Sequence, residues 1–397
     1  MKSNFAFLFV LLALQSSAQK KLPDGIYTQP VFSTLNIDRN IIYRNAINYE
    51  GVSVPLKLSI YYSDENYNYK KPLILFFPAG GFYACDILNQ NIAGLAYTFA
   101  TYGYVAATVE YRVGLDSPET TLSYEKAIYR GTQDAKVAIR YLKSIAKNYC
   151  IDTSSVFVSG TSAGSVVALH AAYYEQNEVN DSIDTSEEGL LDSDEIFPSI
   201  SSDITAVLNN WGAILDLKIM ENETEPIISF HNTLDEIVYF NSGLYKNLVL
   251  IYGSQVIDSL AAVNNIPHQL KAFYKTGHGA SFDSPYMDTI ISWGSNFLYN
   301  YINDKNGTLV CSGDLNFSLF PVPALTHLYL KNENDFSIPF SKYEIYDLTG
   351  IKIYESYLNT INVNETIELN IKLLLTGNYL LRLTSGYNQQ VYKIITQ

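Results

Sequence analysis

Ser162 sits in Gly160-Thr161-Ser162-Ala163-Gly164, a G-x-S-x-G pentapeptide lying directly between a β-rich run and a helical stretch. A serine on a tight strand-to-helix turn presents its hydroxyl for attack on a carbonyl carbon. The glycines are needed because a Cβ at Gly160 or Gly164 would collide with neighbouring backbone. The helix that follows places its N-terminal dipole near the negative charge that develops in such an attack. The pentapeptide alone is weakly specific, and its strand–turn–helix setting is what raises it.

A serine is nucleophilic at neutral pH only with a base to take its proton and an acid to orient that base. Five histidines are present. His170 lies inside the helix after the serine and reads as a packed helix residue. His231 ends a strand, His268 begins one, and His327 falls in a C-terminal segment of different texture. His278, in Thr276-Gly277-His278-Gly279, occupies a glycine-flanked loop after the last strand and is the expected base. Asp235, in His231-Asn232-Thr233-Leu234-Asp235-Glu236, is the expected acid; Glu236 is its rival, one step along the loop and so aimed elsewhere. Pro78-Ala79-Gly80-Gly81-Phe82 follows a strand directly, and the amides of Gly80, Gly81 and Ala163 are the expected oxyanion donors.

Other motifs carry less. Ser144-Ile145-Ala146-Lys147 fits S-x-x-K but reads as solvated helix surface. Arg112 reads as a structural ion-pair partner, and Trp211 as either pocket lining or core plug. There is no H-E-x-x-H, no phosphate-binding glycine loop and no dinucleotide fingerprint, so no metal and no organic cofactor is expected.

These residues need a scaffold that brings them together. Continuous apolar runs at Leu73–Phe77, Tyr104–Glu110, Val156–Ser159, Ala206–Trp211, Pro226–His231 and His268–Tyr274 predict strands buried on both faces. Helical periodicity at Ile92–Tyr102, Glu125–Lys147, Ser162–Tyr174 and Ser284–Tyr301 separates them. The alternation predicts an α/β fold with a mainly parallel central sheet and helices on both faces. Beyond the turn-rich break Asn303–Gly307 the pattern changes to period two, with strands expected at Leu328–Leu330, Tyr343–Tyr346, Ile351–Tyr354, Ile367–Leu375, Tyr379–Leu383 and Val391–Ile395. That predicts a small C-terminal all-β sandwich.

Composition bounds the rest. The 397 residues are 47% hydrophobic and 17% charged, which suits a packed core and excludes a disordered chain. A net charge of −14 argues against a nucleic-acid partner. Nine of the 40 acidic residues fall between Glu175 and Glu195, a stretch without Lys or Arg, which reads as an insertion over the sheet edge. Lys2, the apolar run Phe5–Leu14 and Ser16-Ser17-Ala18 read as an export signal, too short to span a bilayer. No other stretch approaches membrane-spanning length. Cys85, Cys150 and Cys311 form no disulfide framework, and the expectation is three small buried residues with at most one bridge.

The linked segments Pro78–Phe82, Glu110-Tyr111-Arg112-Val113-Gly114, Gln133–Leu142 and Gly160–Gly164 resemble the carboxylesterase-like α/β-hydrolases with an H-G-G-G-F oxyanion motif, over about Asn48–Tyr301. The order Ser162, Asp235, His278 agrees with that group. The resemblance implies a triad of those three residues, an oxyanion hole of the Gly80, Gly81 and Ala163 amides, and hydrolysis of esters through an acyl-enzyme. Pro78 replaces the motif histidine and Ala79 its first glycine; that histidine braces the loop, and proline can do so by fixing φ. Ser165 stands where a further glycine is common. In related hydrolases the position of the acidic stretch holds lid or cap segments, which implies carboxylates near the pocket mouth; a solvated loop tip is the alternative.

The segments Leu319-Phe320-Pro321-Val322-Pro323, Tyr346–Gly350, Leu375–Arg382 and Lys393-Ile394-Ile395 resemble the type A sorting domain of the type IX secretion system. The expected organisation is a signal peptide (1–18), an α/β-hydrolase domain (19–304) with an acidic insertion (175–203), a linker (305–316) and the sorting β-sandwich (317–397). The expected function is a secreted or surface-bound serine ester hydrolase acting on small-acid esters, including ester groups on polysaccharides. Its partners would be that substrate and the type IX machinery. A serine peptidase with the same triad and a non-catalytic surface binding protein are the alternatives.

Overall fold

The computed structural model describes residues 22–63, 69–179, 182–193, 196–280, 284–309, 316–334, 338, 341–385 and 388–397. The expected signal peptide, half of the expected linker and Cys311 lie outside them. The chain opens with an antiparallel pair, β1 (Leu35–Ile47) and β2 (Ser53–Ser63), which the apolar-run pattern does not reveal because each strand mixes buried and exposed positions. Then come β3 (Lys71–Phe77), α1 (Gln90–Thr101), β4 (Val105–Val109), α2 (Thr121–Ser144), α3 (Ala146–Tyr149), β5 (Ile151–Thr161) and α4 (Ala163–Tyr173). A short helix α5 (Thr185–Glu188) precedes β6 (Ala206–Asn210), β7 (Ala213–Ile214), β8 (Ile227–Leu234), β9 (Ser242–Tyr245) and β10 (Val249–Gly253). The α/β part closes with α6 (Ser254–Val263), β11 (His268–Thr276) and α7 (Pro285–Tyr299).

Eight strands form one sheet in the order β1-β2-β4-β3-β5-β6-β8-β11. Pairing is antiparallel at β1-β2-β4 and parallel from β4 to β11. Every residue of β3, β4 and β6 is buried, as covering both faces of a parallel sheet requires. A second sheet, β7-β10-β9, stands apart from the first. It joins β7 to a β9–β10 hairpin, between Asp235 and α6, that the sequence pattern does not distinguish from loop.

Two carboxylates of the acidic stretch, Glu188 and Asp192, face α2. That helix carries Arg130, Lys136 and Arg140 on one side, and all three are buried because the stretch lies over them. Arg130 pairs with Glu188 at 3.0 Å, while Arg140 and Lys136 approach Asp192 at 2.6 and 3.7 Å. The Gln133 amide donates to the carbonyls of Glu188 and Leu190, and Tyr129, Ile183 and Leu191 form an apolar contact beneath. Buried cations left unpaired would be costly, so these carboxylates act as counter-charges to one helix face.

The C-terminal part holds two antiparallel sheets. One comprises β12 (Phe317–Phe320), β13 (Leu328–Asn332) and β16 (Thr366–Leu369). The other comprises β14 (Ser341–Asp347), β15 (Lys352–Leu358), β17 (Gly377–Ser385) and β18 (Asn388–Thr396), in the order β15-β14-β17-β18. Their shared core includes Leu328, Leu330, Ile345, Leu381, Leu383 and Ile394. Cys150 is disulfide-bonded and Cys85 is a free thiol, which corrects the reading of the cysteines as three small buried residues. Among the described residues no helix is long and apolar enough to cross a membrane.

Candidate active site

β5 delivers Ser162 to the edge of the sheet and α4 leaves from the next residue. The chain reverses there with Ser162 at φ 54° and ψ −122°, a region that side chains other than glycine rarely adopt. The turn is packed without slack: a Cβ on Gly160 would stand 2.2 Å from the Gly164 carbonyl carbon, and one on Gly164 would stand 2.0 Å from the Phe77 carbonyl oxygen. Ser165, in the further-glycine position, locks the turn. Its hydroxyl donates to the Gly160 carbonyl at 2.7 Å and accepts the Asn210 N–H at 2.9 Å, while the Asn210 amide donates to the same carbonyl.

His278 and Asp235 come to this serine from the ends of the last two strands. His278 Nε2 lies 2.7 Å from Ser162 Oγ, and His278 Nδ1 lies 2.7 Å from Asp235 Oδ2. With Nδ1–H donating to the carboxylate, Nε2 is free to accept the serine proton. Asp235 is buried, and its Oδ1 accepts the N–H groups of Ile237 and Val238 at 2.9 and 3.1 Å. Burial alone would raise its pKa; hydrogen bonds from His231 and His278 outweigh burial and hold it at about 2. Glu236, the rival acid, is exposed.

A carboxyl group held low by folding stabilises the native state while it is ionised, and that contribution is lost as pH falls from its ordinary 3.8 towards about 2. The gap in Tm between the wild-type chain and Asp235→Asn is therefore expected to be full at pH 5 and to narrow by pH 2.5. A gap independent of pH would show that the Asp235 charge does not contribute.

Two residues not singled out from the sequence hold the other members in place. The Asn232 amide donates to the carbonyls on both sides of His278, Gly277 at 2.7 Å and Gly279 at 2.8 Å. His231 Nε2 lies 2.9 Å from the Val238 carbonyl and 3.5 Å from Asp235, and its Nδ1 lies 2.8 Å from Ser254 Oγ. Trp211 does not line the slot; its indole fills the core under the histidine loop, where a Cβ on Gly279 would come within 2.8 Å of the ring. Misplacement of a base by an ångström costs about 10²-fold in rate. Asn232→Ala is accordingly expected to lower kcat roughly 10- to 100-fold, with KM changed little, in a steady-state ester assay. An unchanged kcat would remove Asn232 from the positioning of His278.

The loop after β3 turns at Gly80, φ 151°, and Gly81, φ 60°. A Cβ on Gly80 would stand 1.9 Å from the Ala84 carbonyl oxygen. Pro78 is braced from outside: the buried Tyr111 hydroxyl donates to its carbonyl at 2.8 Å. Gly81 and Ala163 line a slot that opens at Ser162, and the Gly80 carbonyl next to them accepts the Tyr83 and Ala84 N–H groups. The slot walls are Phe82, Tyr124, Ile128, Val166, Leu215 and Val238, closed by Tyr245, Val249 and Ile251 of the β9–β10 hairpin. Its interior has about 40 Å³ for water centres, room for a few waters at about 10–15 Å³ each.

The remaining candidates stand apart from this site. Among the described residues none of the acidic insertion lines the slot, whose wall there is the β9–β10 hairpin. His170 is buried, bonded through Nδ1 to the Val166 carbonyl, and burial lowers its pKa to about 4. Nδ1 of His268 lies 2.8 Å from the Ile266 carbonyl, and His327 pairs with Glu368. Ser144 bonds back to Tyr141 in its own helix. Arg112 is bound to the fully buried Asp134 at 2.9 Å, in keeping with a structural ion pair.

Residues 58–252 match the BD-FAE family model, and residues 318–397 match the secretion system C-terminal sorting domain. No curated protein matches in sequence. Solved structures similar to this chain include Thermogutta terrifontis esterase 2 in its apo form, with a TM-score of 0.50 and 20% identity over 68% of this chain and 96% of that chain. The same esterase phosphoramylated by tabun and phosphonylated by sarin gives the same values. At that identity the likeness is one of fold. The chain thus carries an esterase-like α/β-hydrolase domain that matches the BD-FAE model over residues 58–252, followed by a type IX secretion sorting domain that addresses it to the cell surface or the outside.

Proposed function

We propose that the chain is a serine carboxylic-ester hydrolase working through an acyl-enzyme, with Ser162 as nucleophile, His278 as base and Asp235 as its orienting acid. The observation that carries this reading is the pair of 2.7 Å contacts from Ser162 through His278 to Asp235, opening into an apolar slot. Ser162 Oγ attacks the ester carbonyl carbon while its proton passes to His278 Nε2. The oxyanion is met by the amides of the Gly80-Gly81 turn and of Ala163, at the positive end of α4. Collapse of the tetrahedral species expels the alcohol, which takes the proton from His278. A water then gives its proton to His278, attacks the acyl carbon, and the acid leaves as Ser162 regains its proton.

The slot is small and apolar, which supports short acyl groups. The alcohol side stays outside it, so the alcohol can be as large as a polysaccharide, and secretion brings the enzyme to such polymers. The test is rapid mixing with a p-nitrophenyl ester of a short acid, followed by mass spectrometry of the quenched protein. A burst near one p-nitrophenol per chain and an acyl mass on the Ser162 peptide are expected. An acyl mass on another residue, or faster cleavage of peptide amides than of esters, would overturn the reading.

A further inference from the structure

We propose that the Tyr245 hydroxyl is a further hydrogen-bond donor to the substrate carbonyl oxygen, beside the amides of the Gly80-Gly81 turn and of Ala163. The inference rests on the ester-hydrolase reading above and adds to it a residue from outside the triad and the glycine turn.

Tyr245 lines the same slot as Ser162 and closes it against the glycine turn. Its Oη stands 3.1 Å from the position a Cβ on Gly81 would take, so a side chain there would press the hydroxyl back by a few tenths of an ångström. The neighbouring phenols are committed. Tyr83 and Tyr124 share a hydrogen bond at 2.6 Å, Tyr124 donates to Glu119 at 2.7 Å, and Lys246 donates to Tyr83. Among the described residues the Tyr245 hydroxyl has no such partner. The hydroxyl is not among the buried polar atoms left without a partner, so it is open to the slot, and a carbonyl oxygen bound there can accept from it.

The ring is also held in place before any substrate arrives. Tyr245 begins the hairpin turn, in which the Leu248 N–H donates to its carbonyl at 3.0 Å, with Lys246 at φ 52° and Asn247 at φ 57°. A positive φ is uncommon for lysine and persists where surrounding contacts enforce it. Here the Lys246 ammonium sits 4.1 Å above the Tyr83 ring and 3.5 Å from Glu119, and Thr121 Oγ1 donates to the Leu248 carbonyl at 2.9 Å. The Tyr245 ring meets Tyr124 edge-on at 5.5 Å. Burial raises the pKa of the phenol, which keeps its proton available for donation. A fixed donor of this kind needs no reorganisation when charge develops on the oxygen.

Tyr245→Phe removes the hydroxyl and keeps the ring. In p-nitrophenyl acetate and butyrate hydrolysis its kcat is expected to fall on the order of 10²-fold, with KM changed less than about threefold. Its Tm should match the wild type, since no protein hydrogen bond is lost. Wild-type kcat in the variant would overturn the inference, as would a loss confined to KM, which signals ground-state contact alone. Ser162→Ala is run in the same assay. Ser162-dependent turnover with a fully active Tyr245→Phe sinks this inference only, whereas absence of Ser162-dependent turnover sinks the ester-hydrolase reading and this inference with it.

Discussion

Ser162→Ala is expected to lower kcat for a short acyl ester by about 10⁴- to 10⁶-fold while leaving the fold intact. The size of the effect follows from the absence of a substitute. The other hydroxyls lining the slot belong to Tyr124, bound to Tyr83 and Glu119, and to Tyr245, without a base beside it. Cys85 is a free thiol, but burial raises its pKa far from the nucleophilic range. Ser162 makes no side-chain cap to α4, so removing its hydroxyl costs the helix nothing, and the Tm should stay within a degree or two. Any residual rate would come from the oxyanion donors and from binding. The measurement is steady-state kinetics beside thermal unfolding. A loss smaller than about tenfold would take Ser162 out of the chemistry.

Asp235→Asn is expected to cost about 10³- to 10⁴-fold in kcat at neutral pH, through the wrong histidine tautomer and not through lost structure. The backbone decides which way the new amide points. The Ile237 and Val238 N–H groups both donate to Oδ1, so the asparagine oxygen takes that position and its NH₂ faces His278 Nδ1. Nδ1 must then accept, the proton moves to Nε2, and the ring presents a donor to Ser162 in place of an acceptor. Glu236→Gln, one residue along and exposed, should leave kcat unchanged. Activity within tenfold of wild type for Asp235→Asn would mean that another group orients His278.

The glycine-bound serine, the glycine-flanked histidine and the paired glycines after β3 were legible because each requirement is local. A positive φ or a close backbone approach demands a residue type at one position and leaves a mark there. The parallel sheet was legible for a related reason, since strands buried on both faces become unbroken apolar runs. The β1–β2 pair was not, because β1 mixes buried and exposed positions with a broken register, and lysine and serine interrupt the apolar run of β2. Asn232 and His231 left a fainter signal: with Asn209 and Asn210 they are polar residues at the ends of apolar strands, where an α/β sheet carries its site. What they bind, the carbonyls around His278 and the Asp235 turn, is decided by strands adjacent in space and distant in the chain.

The acidic stretch shows the same division most sharply. Charge and composition located it, and its place between Ser162 and Trp211 implied a lid; tertiary packing set its Glu188 and Asp192 along α2, opposite three buried cations. The hairpin that does close the slot carries no compositional mark, because a wall of tyrosine, valine and isoleucine reads like any other strand. By itself, then, the sequence determined which groups could do the chemistry and what kind of sheet would carry them. Only the tertiary structure decided which surfaces surround Ser162 and which hydroxyls are left without a partner, because burial and pairing belong to contacts between segments and are encoded in no one of them.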